Sequence, residues 1–234
     1  MSIYQIVKLD QESLLIEFID NTTMLKSLIN REWIKCGQNL DTKNIRQEDI
    51  PNKFEKWTSS DNLNFPNYFV DAFTDPQTFY QNKLNFIKTT AIWSITGYLI
   101  GLGDRHCQNI LVKENSEVIH IDYGMILGRG KILPVPEIVQ FRLTPNIAQG
   151  LDIFQGKTLF YYYCYIILNA LRKEKGSIFE MLETVYKVSN KTSDVQTLLS
   201  KLDKVSFCDV QDLLESSSDK EKLKKMYIGW CPWS

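Results

Sequence analysis

The chain has 234 residues, of which 44% are apolar and 24% charged; that is enough for a buried core in one or two domains and unlike a disordered tail. A net charge of -1 supplies no global attraction to nucleic acid or to an anionic membrane, so direct nucleic-acid binding is not expected. Five scattered cysteines (Cys36, Cys107, Cys164, Cys208, Cys231), no CxxC pair and only two histidines exclude a disulfide framework and a zinc site and fit a reducing compartment.

The opening MSIYQIVKLDQESLLIEF has no basic stretch followed by an apolar one and is not a signal peptide. Ile3–Val7 and Leu14–Ile19 read as strands around a polar KLDQES turn. Residues 22–35 read as a helix capped by Thr22 or Thr23, with Met24, Leu25, Leu28 and Ile29 on one face. Residues 36–63 are polar, contain Pro51, and predict a long loop with at most one short helix. NYFVDAF is a short helix stopped by Asp75-Pro76. The next helix opens with Pro76 near its first position and becomes apolar nearly all round, which marks it as a central core helix. Gly101 and Gly103 end it.

Ile110-Leu111-Val112 and Val118–Ile121 predict a hairpin across KENSE. Residues 125–148 show little periodicity, and long irregular segments in compact domains are usually functional or disordered. Residues 157–190 are helical, SNKTSD is a polar break, and the tail is helix, a capping box in SDKE (Ser218, Glu221), helix, and an aromatic end, MYIGWCPWS. The longest apolar runs, AIWSITGYLIGLG and LFYYYCYIIL, fall short of the ~20 residues a membrane span needs. The fold class expected is mainly α with a small β part, α+β.

The chemistry lies in GLGDRHCQNILVKENSEVIHIDYG, residues 101–124. A buried helix ends, the chain turns through Asp104-Arg105-His106, and a hairpin from Asn109 returns at Asp122. Asp104, Asn109 and Asp122 then converge at one end of a small sheet. Phosphoryl transfer needs such a set: an amide and a carboxylate to hold Mg²⁺ by hard oxygens, and a further carboxylate to take the proton of the attacking hydroxyl. Kinase loops read H-R-D-x-x-x-x-N followed by D-F-G. Here the triplet is reversed to D-R-H, the D-x-x-x-x-N spacing holds, and the second motif reads D-Y-G. Either motif alone reads as a surface turn; in order and at this spacing they form a kinase-type set. His120, between Ile119 and Ile121, reads as a packed strand histidine rather than a catalyst.

GYLIGLGDRHCQNIL with VIHIDYG resembles the phosphatidylinositol-3-kinase-related protein kinases. GKILPVPEIVQFRLTPNI resembles their activation and substrate loop, LLIEFIDNTTMLKSLI their hinge, FVDAFTDPQTFYQNKLNFIKTTAIWSITGY the helices before the catalytic loop, and YIGWCPW their FATC tail. The ATR type is the nearest subgroup, on Glu17–Thr22 and Pro134–Val139, with the ATM and TOR types next. The resemblance is dense over residues 3–150, good over 205–233 and thin between.

The resemblance implies a C-terminal kinase lobe of the PI3/PI4-kinase type. Residues 1–22 would be a remnant of N-terminal-lobe strands and hinge, 23–192 the C-lobe, and 193–234 the FATC-like tail. Asp104 would be the catalytic carboxylate, and His106 would stabilise transferring phosphate charge. Asn109 and Asp122 would hold Mg²⁺, with Mn²⁺ as the alternative ion, on the phosphates of ATP. Phe18 would stack on adenine, and the Ile19 backbone would bond its edge. Residues 122–145 would form the activation loop. Protein substrates with Ser or Thr before Gln, regulatory partner proteins of a much larger kinase, a DNA-damage checkpoint role and a nuclear location (cytoplasmic for a TOR type) follow from the family.

The sequence also departs from the family. No glycine-rich phosphate loop precedes residue 3, and no lysine-bearing strand precedes the hinge, so the N-terminal lobe is expected to be largely missing. The chain is expected to show little activity alone, as a fragment or as half of a split enzyme. Lys8 reads as solvated, Gln140 replaces a usual Pro, and Ser234 is an extra terminal residue. Two other functions compete. A lipid kinase would use a basic headgroup loop, whereas only Arg129 and Lys131 are basic between Asp122 and Gln140. A non-catalytic lobe would not need to keep Asp104, Asn109 and Asp122 together.

Overall fold

The computed structural model describes residues 2–10, 12–37, 49–58, 64–152, 156–187, 192–203 and 206–226. Most of residues 36–63, half of the SNKTSD break, and all of YIGWCPW with Tyr227, Trp230 and Trp233, lie outside these. The order among described residues is β1 (Ile6–Lys8), β2 (Leu14–Ile16), β3 (Thr22–Met24), α1 (Leu25–Lys35), α2 (Ile50–Thr58), α3 (Asn67–Ala72), α4 (Pro76–Ile100), β4 (Ile110–Lys113) and β5 (Val118–His120). A 3-10 turn over Arg129–Ile132 leads to α5 (Pro145–Asp152), α6 (Gly156–Lys173), α7 (Lys175–Lys187), α8 (Thr192–Ser200), α9 (Phe207–Ser217) and α10 (Lys220–Lys225).

α4 is the axis of the lobe. Asp75 caps it, its carboxylate accepting from the Thr78 N–H (2.8 Å) and hydroxyl (2.7 Å), and Pro76 sits in its first turn. Its far end is closed by Gly101 at φ 62°, a left-handed C-cap that glycine adopts at little cost. α4 packs along α6 and against β5. Phe86, Ala91, Ile95 and Leu99 of α4 join Ile29 and Trp33 of α1, Phe65 and Phe69, and Phe160, Cys164 and Leu168 of α6 in one core. A lobe of this helical content with small sheets agrees with the fold class read from the sequence.

Two sheets form. β1 and β2 are an antiparallel pair, Ile6 opposite Ile16, whose residues are all exposed, Lys8 included. The second sheet runs β3-β4-β5, antiparallel throughout, with Ile110 opposite His120. α4 grips β5 at both polar groups of Val118: its N–H donates to the Thr89 hydroxyl (2.9 Å), and Trp93 Nε1 donates to its carbonyl (2.8 Å).

Four expectations need correction. Thr22 and Thr23 do not cap a helix; they lie in β3 opposite Lys113 and Val112. α1 starts at Leu25 behind Met24, with no side-chain cap. A β-branched pair beside a free strand edge gains ladder bonds that a helix turn would not supply. The first strands are shorter than Ile3–Val7 and Leu14–Ile19. Ser218 and Glu221 form no capping box: Asp219 caps α10 by accepting from the Glu221 and Lys222 N–H groups, and the capping box sits one helix earlier, at Ser206 and Asp209 of α9. α8 begins inside the SNKTSD stretch, at Thr192.

Candidate active site

The loop after α4 is held to the segment after Asp122 by three backbone bonds: Gly103 N–H to Met125 O (2.6 Å), Leu127 N–H to Ile100 O (2.9 Å) and Gly128 N–H to Gly101 O (2.8 Å). Between them Asp104 and Asp122 both adopt positive φ, 59° and 60°. Non-glycine residues are uncommon there, and such strained backbone concentrates at functional sites.

Asn109 lies just before β4 and opposite Ile121, whose N–H donates to the Asn109 carbonyl (3.0 Å). The Asn109 amide nitrogen donates to the Asp104 carbonyl at 2.9 Å and reaches its Oδ2 at 3.5 Å. With that nitrogen turned to Asp104, Oδ1 is the atom with which Asn109 would hold a cation. Asp122 is one residue past the register partner of Asn109. It is exposed, and its Oδ1 accepts from the Gly124 N–H at 3.0 Å.

His106 Nε2 lies 3.9 Å from Asp104 Oδ1. Its Nδ1 accepts from the Gln108 N–H at 3.3 Å, so the ring proton sits on Nε2. Burial lowers the His106 pKa, with Asp104 opposing; the ring is a neutral donor at pH 7.

Arg105 has a role not assigned from the sequence. It is 2% exposed, and its guanidinium donates from Nε to Gly103 O (2.8 Å), from Nη1 to Ile121 O (2.8 Å) and from Nη2 to Asp122 O. It ties the Asp104 loop to the Asp122 loop from beneath. Glu137 was likewise unassigned: its carboxylate accepts from the Asp104 N–H (2.8 Å) and the Arg105 N–H (3.0 Å). Arg105, between two polar loop residues, carries no local signal of the backbone carbonyls it binds. Glu137 lies in an aperiodic segment that carried none.

Behind Asp122, the Tyr123 and Tyr4 hydroxyls both donate to the His120 carbonyl, at 3.0 and 3.3 Å. His120 is a packed strand residue, stacked on Trp93 with ring centroids 5.1 Å apart. Phe18 and Ile19 stand apart on the segment between β2 and β3. Phe18 is 84% exposed, and Ile19 O accepts from the Thr22 hydroxyl at 3.0 Å. Asp104, His106 and Asn109 are thus in direct contact, Asp122 joins them through Arg105, and the hinge pair lies outside that cluster.

Among the described residues no group of three or more His, Cys, Asp or Glu side chains forms a metal site. An amide oxygen and one carboxylate suit an ion that brings phosphate and water ligands with it, the habit of Mg²⁺. No helix among those residues is long and apolar enough to cross a membrane.

A helical lobe whose core helix delivers a D-R-H loop to a small sheet ending in D-Y-G is the C-terminal lobe of a PI3/PI4-kinase-like fold. The family model for phosphatidylinositol 3- and 4-kinase matches residues 1–191, and that for the FATC domain matches residues 209–233. The chain belongs to the phosphatidylinositol 3- and 4-kinase family, in the branch related to protein kinases that carries FATC. It is 31% identical to serine/threonine-protein kinase MEC1 of Kluyveromyces lactis, over 98% of this chain and 11% of that protein. It is 27% identical to serine/threonine-protein kinase ATR of Arabidopsis thaliana, over 98% of this chain and 10% of the relative. The structure of the FAT and kinase domain of CtTel1 superposes with a TM-score of 0.78 at 30% identity, covering 100% of this chain and 19% of that one. The chain spans about a tenth of the length of these curated relatives.

Proposed function

We propose that the chain carries the phosphoryl-transfer half of an ATP-dependent Ser/Thr protein kinase of the DNA-damage checkpoint type. The observation behind this reading is the Asp104–His106–Asn109 cluster, tied by the buried Arg105 to the Asp122 loop. The Asp104 carboxylate accepts the proton of the substrate hydroxyl. His106 would donate a hydrogen bond from its Nε2–H to the phosphate oxygens, where charge spreads in the transition state, and keep its proton. Asn109 Oδ1 and the Asp122 carboxylate would hold Mg²⁺, or Mn²⁺ in its place, and the ion would supply neutralisation of phosphate charge. Phe18, an exposed ring beside the hinge, would stack on adenine, and the Ile19 backbone would bond its edge.

Selection of Ser or Thr before Gln, regulatory partners and a nuclear setting belong to this reading through the resemblance of the motifs to the ATR type. The tail lies beside the activation loop in this reading, which the Ile138 N–H directed at Met226 Sδ (3.1 Å) supports. By themselves the 234 residues transfer phosphate feebly, because they contain no glycine-rich loop and no lysine-bearing strand to cover the phosphates.

The test has a binding arm and a transfer arm. Paramagnetic Mn²⁺ added with ATP is expected to broaden the amide resonances of Asn109 and Asp122, and Asp122→Ala to abolish the effect. In a longer protein that joins these residues to a phosphate-covering lobe, transfer to a Ser-Gln peptide is expected and is lost in Asp104→Ala. Transfer to phosphoinositide instead would replace this reading by a lipid kinase. Absence of both binding and transfer would leave a non-catalytic lobe.

A further inference from the structure

We infer that Glu137 is the positioning residue of the catalytic loop: its carboxylate holds the backbone that aims Asp104. The inference rests on the phosphoryl-transfer reading for what Asp104 does, and on geometry alone for what Glu137 does. Glu137 lies 33 residues from Asp104, in the irregular segment after the 3-10 turn, and is only 8% exposed. Its Oε2 accepts from the Asp104 N–H at 2.8 Å and its Oε1 from the Arg105 N–H at 3.0 Å. Both carboxylate oxygens are therefore used on two successive peptide groups.

The backbone needs such a hold. Asp104 sits at φ 59°, a left-handed conformation unfavourable for a non-glycine residue, so the loop relaxes unless its surroundings determine it. Charge-assisted bonds to backbone N–H groups are the strong kind. The approach is close because Gly103 and Gly130 lack side chains. A Cβ built on Gly103 would stand 2.7 Å from Glu137 Oε2 and 2.6 Å from Gly130 Cα. Glu137 is itself moored to the same place, its N–H donating to Gly130 O at 3.1 Å.

The consequence reaches both loops. The peptide that Glu137 fixes belongs to Arg105, whose side chain holds the carbonyls of Ile121 and Asp122. Arg142 Nη1 donates to the Arg105 carbonyl at 3.2 Å, so the next peptide group, beyond the Arg105 Cα, is held as well. The buried Arg105 cation gains from the negative charges of Glu137, Asp104 and Asp122. A residue of the activation segment thus sets the carboxylate that takes the proton. Displacing that segment releases the Asp104 backbone first and the Asp122 loop through Arg105.

Site-resolved amide hydrogen exchange on the full 234-residue chain tests this, with Glu137→Ala and Glu137→Gln beside the parent. In Glu137→Ala, exchange at the Asp104 and Arg105 amides is expected to quicken by roughly tenfold or more, as two charge-assisted bonds are lost. Both amide protons are expected to move upfield, while amides in the middle of α4 and in β4 exchange as before. Glu137→Gln is expected to rescue one amide, because its single carbonyl oxygen accepts one N–H and its NH₂ group opposes the other. Exchange unchanged at both amides would overturn the inference. So would a uniform acceleration across the lobe in Glu137→Gln, which would make Glu137 an ordinary packing residue. Should Glu137→Ala fail to fold, Glu137→Gln decides alone. Failure of the Mn²⁺–ATP experiment would sink the phosphoryl-transfer reading and leave the exchange result standing.

Discussion

The two histidines of this chain divide the labour that histidine can do. His106 stands at the site, with its proton on Nε2 facing Asp104. His120 is buried against Trp93, and burial, aided by the Arg105 charge, holds its imidazole well below the usual histidine range. The unfolded chain therefore binds a proton at His120 that the folded chain refuses. The stability this confers is whole above the unfolded pKa of about 6.5 and is lost as pH falls from there toward the folded value. Because His106 shifts in the same direction, the parent chain loses stability in mild acid from both rings. His120→Phe keeps the stack on Trp93 and abandons no hydrogen bond at Nδ1. Its urea midpoint is expected to fall less than the parent's between about pH 7.5 and about pH 5.5, and equal falls would refute the assignment. His120 was legible as a packed residue from its alternation with isoleucines. The position of the ring proton on His106 was not, since only the Gln108 N–H facing Nδ1 decides it.

At the scale of elements, the C-terminal end of α4 carries the site, and the two ends of the helix fail in different ways. Asp75→Ala removes an N-cap far from the loop and is expected to lower stability modestly without disturbing the Asp104–Asn109 contact. Gly101→Ala forces a side chain into a left-handed turn and sets its Cβ 2.6 Å from the Gly128 nitrogen. It is expected to cost more than the Asp75 change and to shift the resonances of Gly103, Asp104 and Gly128 together. Urea unfolding and amide spectra check both, and a Gly101 variant with an unmoved loop spectrum would show that the junction tolerates displacement. These ends were readable because Asp-Pro and Gly carry their conformational rules within themselves. The start of α1 was misread because Thr22 and Thr23 are as fit for a strand as for a cap. The choice fell to β4, an edge some 90 residues away in sequence that offered a ladder. The tail erred similarly: Ser218 and Asp219 both suit an N-cap, and Ser218 instead turns its hydroxyl back to Leu214 O of α9.

For the molecule as a whole, the lobe is a core of α1, α4 and α6 with the site at one end of α4 and an uncovered β1–β2 pair on its surface. Ile6, Val7, Leu14, Leu15 and Ile16 are each more than 40% exposed, an apolar area of the kind that marks an interaction surface. The 234 residues alone are expected to transfer phosphate to a Ser-Gln peptide only weakly. Vigorous transfer that Asp104→Ala abolishes would show that no covering lobe is needed. The sequence by itself determined the core helix and its ends, the hairpin, the packed His120 and the family, because each rests on residues near one another whose types and spacing bear physical meaning. The tertiary structure alone decided β3, the binding of Glu137 to the Asp104 backbone and the clamp of Arg105 across two loops. Those depend on backbone N–H and C=O groups, which every residue carries alike, so only the folded path of the chain determines which of them meet.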